Sequence, residues 1–349
     1  MAFRRRSSSC HRTCRSEALR LPPPLTLTAR VGSSSVSSST DSGSHRSVAP
    51  SGRQLELRAG GYRAVVVQSG GGLRELSHED EPALDGYPED ELCDGARGQL
   101  LVPWPNRVAD GRYRFDGENR QLDLTEPERG CAIHGLARWE SWEVISHEDD
   151  RLRLAHRLHG HPGYPHVLDL SIEYQLDPKH GIEMRFTAVN VGSGPAPYGL
   201  GMHPYLTAGT HSIDTCELLL QADSWLPTDD RGIPSGPARP VNETELDFRV
   251  ARQIGKTAID FAFTDLNRDE EGLARVVLSD HSSARQRVLW VDSSFPWIEI
   301  FTGDHLPSRQ RQGLGVEPMT CPPNAMASGQ DLVVLEPGEQ HTARWGIHV

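Results

Sequence analysis

Apolar and polar positions alternate along much of the chain. Leu168, Leu170, Ile172 and Tyr174 share one face of an extended run, and Ile182, Met184, Phe186 and Ala188 share one face of the next. A period of two marks a half-buried strand, because successive side chains of an extended backbone point to opposite sides. His180-Gly181 between the two runs suits a tight turn. The same reasoning predicts strands over 62–68, 216–222, 274–278, 287–291, 297–302, 331–335 and 342–349. No long segment has a 3.6-residue period with caps at both ends. The 25 prolines and 33 glycines are spaced like turn punctuation. No internal repeat is evident. The pattern predicts an all-β protein, a large antiparallel β-sandwich, with residues 51–349 as a single domain.

Residues 1–50 read differently. They hold 13 serines and eight arginines against two acidic residues, without sustained periodicity. Such a composition predicts a disordered Arg/Ser-rich tail. Its apolar stretch from Ala18 to Val31 is broken by three prolines and internal arginine, so a secretory signal is not expected. The bias fits either a transit peptide or a start codon set upstream of the true one.

Composition narrows the class of partner. The formal net charge is -12. The tail contributes +6 (eight basic residues less two acidic), which leaves about -18 on the rest. A body so acidic does not suit nucleic acid or anionic membranes, and no run approaches the roughly 18 apolar residues of a membrane span. Six scattered cysteines show no disulfide framework and are expected as free thiols in a reducing compartment, hence a cytoplasmic location. Cys10, His11 and Cys14 lack further ligands for zinc. His156, His159, His161 and His166 crowd a Gly/Pro turn with no acid or cysteine to complete a metal set, so no metal is expected.

Candidate chemistry lies in five polar islands within strand-like text. Glu317 stands between an apolar run and a proline-stiffened segment, Pro318 to Pro323, and is expected on a rigid, irregular backbone. His203, between Gly201-Met202 and Pro204-Tyr205, carries an imidazole that can donate or accept a proton near neutrality, or is simply a satisfied core histidine. His134 precedes Gly135, which permits close backbone approach; a structural histidine fits equally. Trp139 and Trp142 follow, as core or as a stacking wall, core being the simpler expectation. Asn106-Arg107 follows Pro103-Trp104-Pro105, so the guanidinium fork is either aimed at a ligand oxygen or caps a carbonyl at the surface. The run Gly111 to Gly117 reads as a hairpin arm ending in Asp-Gly. Asp260, with apolar flanks, needs a partner such as a turn amide or a ligand hydroxyl, whereas Asp265 reads as part of a solvated turn.

These islands resemble the aldose 1-epimerase (galactose mutarotase) family. The resemblance rests on Asn106-Arg107 with the following Gly-Arg-Tyr, Ile-His-Gly-Leu at 133–136, Gly-Tyr-Pro at 163–165, His-Pro-Tyr at 203–205, Ile-Asp to Phe-Thr-Asp-Leu at 259–266, and Glu317-Pro-Met-Thr with Pro-Pro-Asn-Ala, in the family's order from about 55 to 349. It implies the galactose mutarotase-like supersandwich and the cofactor-free interconversion of α and β anomers of a free monosaccharide such as glucose or galactose. It further implies Glu317 as general base, His203 as general acid, His134 as an assisting histidine, and Arg107 and Asp260, with Asn106, as groups that bind and orient the sugar. The stretch 101–105, Cys321 and Met326 depart from the family's familiar form and leave the sugar open. Two other readings use the same residues: a non-catalytic carbohydrate-binding or regulatory protein on this fold, and a glycoside hydrolase with Asp260 and Glu317 as its carboxyl pair. The first has no need of both an acid and a base, and the second gives the histidines nothing to do. Oligomeric state is not readable from the sequence.

Overall fold

Along the strand Leu168–Asp177 every second residue is buried, and Gly181–Asn190 keeps the same beat. The two pair over their whole length, Leu170 opposite Ala188 and Ile172 opposite Phe186. The turn between them closes where Asp177 accepts the amides of Lys179 and His180 and Gly181 takes φ +77°. Repetition of this unit builds the molecule. The computed structural model describes residues 48–280 and 282–349; the expectations of a disordered tail and of no zinc at Cys10–His11–Cys14 lie outside those residues up to position 47.

Two large antiparallel sheets dominate. One has nine strands in the order Glu143–His147, Arg151–Leu158, Leu168–Asp177, Gly181–Asn190, Gln340–His348, Arg285–Val291, Ala274–Asp280, Glu217–Leu220 and Arg252–Gln253. The other runs Arg239–Pro240, Ala222–Trp225, Asp260–Leu266, Trp297–Phe301, Leu314–Met319, Gly201–Met202 and Leu100–Leu101, with Tyr205–Leu206 also pairing with Leu314–Met319. A single hydrophobic core contains residues of both, among them Phe186, Leu289 and Trp345 from the first and Phe263, Ile298, Ile300 and Val316 from the second. Each large side chain so buried contributes roughly 1.5–3 kcal/mol relative to exposure. Trp345 reaches across the layers, its indole N–H donating to the Met202 sulfur at 3.0 Å. A four-stranded meander, Gln54–Ala59 to Glu81–Pro82, joins this body; Tyr174 donates to the Gly71 carbonyl at its edge.

The all-β antiparallel expectation holds, and most predicted strands are present within a residue or two. The run over 216–222 is instead two strands. Glu217–Leu220 belongs to the nine-stranded sheet and Ala222–Trp225 to the other, so the chain changes layers at Gln221. The Asp-Gly hairpin is present: Arg112–Phe115 pairs with Glu118–Gln121, and Asp116 and Gly117 both have positive φ, as a type I′ turn requires. Trp142 is fully buried, but Trp139 is 47% exposed and so is not core. Asp265 is exposed, yet it lies within the strand Asp260–Leu266 and not in a turn. The four described cysteines are buried free thiols. Among the described residues, no helix is long and apolar enough to cross a membrane.

Candidate active site

Glu317 sits inside a regular strand, contrary to the irregular backbone expected of it. Leu314–Met319 pairs with Trp297–Phe301, and Glu317 lies directly opposite Glu299. Alternation sends Ile298, Ile300, Leu314 and Val316 into the core between the sheets. It sends Glu299 and Glu317 to the other face. On its far side the Glu317 strand meets a broken partner. Gly201 pairs with Met319 and Tyr205 with Gly315, a register that sets His203 across from Glu317. Pro204 and Pro318 have no amide hydrogen to give a ladder. The amides of Val316 and Thr320 bond to the Pro204 and Leu200 carbonyls instead, on either side of the break. Within the break, His203 Nε2 is 3.0 Å from Glu317 Oε1. His203 is 5% exposed and Glu317 2%.

The imidazole of His203 is held on three sides. Tyr205 stacks on it at 4.9 Å between centroids, while Phe301 and His134 meet it edge-on at 6.2 and 5.4 Å. Tyr205 is itself fixed by its hydroxyl bond to the Gly95 carbonyl and by Arg97 4.6 Å from its ring centroid. Asp85 and Asp94 pair with that Arg97.

His134 and Asn106 form a second unit. The strands Arg107–Ala109 and Cys131–Ile133 pair with Arg107 opposite Ile133, which sets Asn106 and His134 side by side at their ends. Both adopt left-handed backbone, φ +52° and +63°, a region that Asn and His tolerate better than most residues. The Asn106 carbonyl accepts the His134 amide, and the Asn106 amide donates to His134 Nδ1 at 3.2 Å. Nδ1 is therefore the acceptor and Nε2 the nitrogen that carries the hydrogen. Gly135 must be glycine: φ is +70°, and a Cβ would stand 2.1 Å from the Val102 carbonyl oxygen. Asn324, from the segment after Glu317, accepts the Ala109 amide and donates to the Arg107 carbonyl, tying this unit to the Glu317 strand.

Arg107 does not cap a carbonyl at the surface; its side chain is mostly buried. Its fork is closed on Glu126, Nε to Oε2 at 2.7 Å and Nη2 to Oε1 at 3.0 Å. Burial opposes its charge, and Glu126 and Asp260 more than restore it. Asp260, half-buried, has neither a turn amide nor the Arg107 fork as its close partner; its carboxyl sits beside that of Glu299 on the next strand.

All six candidate residues, Asn106, Arg107, His134, His203, Asp260 and Glu317, line one cavity of about 440 Å³. Larger clefts of about 800 and 620 Å³ lie elsewhere and hold none of them. Burial disfavours charge on either member of the central pair. It pushes His203 down to about 3, with Arg97 acting the same way. It lifts Glu317 above the ordinary carboxylate range, with Asp260 assisting and Arg107 opposing. At 3.0 Å the two therefore share one proton along the Oε1–Nε2 line. His134 is held neutral by burial and by His203 beside it. Such a site can take a proton at one oxygen and deliver one at its neighbour.

Four contributors escaped the sequence reading. Glu126 and Arg138 line the cavity without any local pattern to mark them; among the described residues Arg138 makes no ion pair, and burial lowers its pKa. Tyr205 was visible only as a neighbour of His203. Glu299 did carry a signal, a lone carboxylate inside the apolar strand Trp297–Phe301. Two of the four clustered histidines pack on aromatic rings: His156 on Trp142, and His166 edge-on to Phe115 and Tyr164.

Comparison with known proteins agrees with the fold and points to one family. The family model described as aldose 1-epimerase matches residues 53–348. The uncharacterized protein YihR of Escherichia coli (strain K12) is 35% identical over 298 residues, covering 85% of this chain and 94% of its own length. Galactose mutarotase of Homo sapiens is 27% identical over 285 residues, covering 74% of this chain and 79% of its own. Among solved structures, the GalM/aldose epimerase homologue from C. elegans superposes with a TM-score of 0.76 at 18% identity, covering 85% of this chain and 98% of that one. The galactose 1-epimerase from Lactobacillus acidophilus NCFM gives 0.70 at 23%, covering 83% and 92%.

Proposed function

The chain belongs to the aldose 1-epimerase family, and from that premise we propose that it interconverts the α and β anomers of a free aldose such as glucose or galactose. The observation that carries the proposal is the buried 3.0 Å contact between Glu317 and His203, in a cavity of about 440 Å³. A hemiacetal carbon bears both oxygens that must exchange protons. Glu317 takes the proton of the C1 hydroxyl while His203 protonates the ring oxygen, and the C1–O5 bond breaks to give the open aldehyde. Rotation about C1–C2 presents the other face of the carbonyl. The ring oxygen then attacks, the two groups act in reverse, and the opposite anomer leaves. His134, with hydrogen on Nε2, donates to the ring oxygen or a neighbouring hydroxyl. Arg107, Asp260 and Asn106 orient the remaining hydroxyls. No covalent intermediate is involved, and one proton on the Glu317–His203 pair suffices for each turnover.

Polarimetry on freshly dissolved α-glucose and α-galactose tests this, after subtraction of the spontaneous rate. Glu317→Gln and His203→Asn should each lower the catalysed rate by about 10²–10⁴, the usual worth of a positioned acid or base. Equal rates for wild type and both variants would refute the proposal. Release of free sugar from a glycoside would favour hydrolysis instead.

A further inference from the structure

Glu299 has no part in the mechanism above, yet it is buried between two residues of the candidate site, Asp260 and Glu317. It is 2% exposed, directly opposite Glu317 on one neighbouring strand and opposite Ala262 on the other. Asp260, two residues from Ala262, lies on the same face, and its carboxyl sits beside that of Glu299. The Glu299 oxygen Oε2 is buried without a hydrogen-bond partner. The charged groups that face Glu299 are therefore Asp260 on one side, Glu317 on the other, and Arg107 across the cavity.

Ionised carboxylates set side by side out of water repel one another, and neither has a hydrogen to give the other. A proton on one of the three acids of this face relieves both defects. Glu317 has His203 to share one, and Asp260 is half-buried with Arg107 acting on it. Glu299 is buried and, among the described residues, has no ion-pair partner of its own. We propose that Glu299 is a positioning residue that stays protonated at neutral pH and donates its hydrogen to Asp260, which holds the Asp260 carboxyl aimed into the cavity. Burial and the charges of Asp260 and Glu317 push Glu299 in that direction. Glu299 thus acts as a neutral donor, the part an amide would play.

The catalytic consequence rests on the mutarotase reading; the protonation does not. Infrared spectroscopy of the wild type at pH 7 to 8 should show the carbonyl stretch of a protonated carboxylic acid, reduced in Glu299→Gln. The denaturant stability of the wild type should fall more steeply with rising pH than that of Glu299→Gln, by one proton per molecule between about pH 7 and 8, because folding retains a proton that the unfolded chain has lost. Polarimetry should show Glu299→Ala reduced in kcat/KM by about 10², the effect of a misplaced orienting group, with most of it recovered in Glu299→Gln. An acid band untouched by Glu299→Gln, equal pH slopes, or a Gln variant as poor as the Ala variant would overturn the proposal. If Glu299→Gln does not fold, absence of the acid band from the wild type would overturn it and its presence at pH 8 would support it. A wild type that turns over no sugar would sink the mutarotase reading alone, and the infrared and stability measurements would still decide Glu299.

Discussion

At the scale of single residues, the candidate site depends on groups kept out of their ordinary state. His203 and His134 are both held neutral by burial. With His203 lowered to about 3, the pair with Glu317 takes up a second proton only well below the ordinary imidazole value of about 6.5. A plot of kcat/KM against pH, corrected for the uncatalysed reaction, should therefore pass level through that value. A midpoint there would show His203 titrating as an exposed imidazole. Gly135 makes a sharper structural test. Its positive φ and the close Val102 carbonyl leave no room for a methyl group, so Gly135→Ala should destabilise the fold by at least about 1–3 kcal/mol from backbone strain alone. Urea unfolding measures this, and an unchanged midpoint would contradict the geometry.

At the scale of elements, the arrangement to explain is a row of side chains drawn from adjacent strands: Glu299, Glu317 and His203. Sheet register builds it, and the pair of prolines at 204 and 318 opens it. Pro204→Ala restores an amide and frees the backbone of residue 203, so it should leave the thermal midpoint within a few degrees while lowering kcat about tenfold or more, as small displacements of a catalytic group do. Equal turnover would show that Pro204 does not position His203. The strands themselves were legible from alternation alone, because one face of each is buried and a one-residue slip would turn it outward. Residues beside glycine or proline, such as His134 and His203, could be singled out for the same local reason. Glu126 could not: its role is to close on Arg107, nineteen positions away, and no local period encodes that partnership. The break at Gln221 was equally hidden, since a strand leaving one sheet for another keeps its alternation on both sides. The surroundings of Glu317 were misjudged because the prolines around it suggested a loop, whereas Pro318 is accommodated where the neighbouring strand is itself interrupted.

At the scale of the whole molecule, two large sheets sharing one core carry a face of buried acids and imidazoles, and stability must follow pH from both ends. His134 and His203 have folded values depressed below the unfolded one, so their contribution is complete above about pH 6.5 and is lost as the pH falls through the window below it. Glu299 and Glu317 are raised, so their contribution is complete at low pH and is lost as the pH rises above the ordinary carboxylate range. Denaturant titrations should therefore show a maximum between these limits. His203→Asn should flatten the acid side without altering the alkaline side; a variant with an unchanged acid slope would show that His203 is not neutral in the folded state.

The two prolines carry one more implication. Pro204 lies opposite Val316 and Pro318 opposite Met202, so on each side of the Glu317–His203 contact the ladder lacks an amide hydrogen that a regular sheet would use. With the bonds at Val316 and Thr320 clamping the flanks, a shift of the imidazole against the carboxylate breaks fewer backbone bonds than it would in an unbroken sheet.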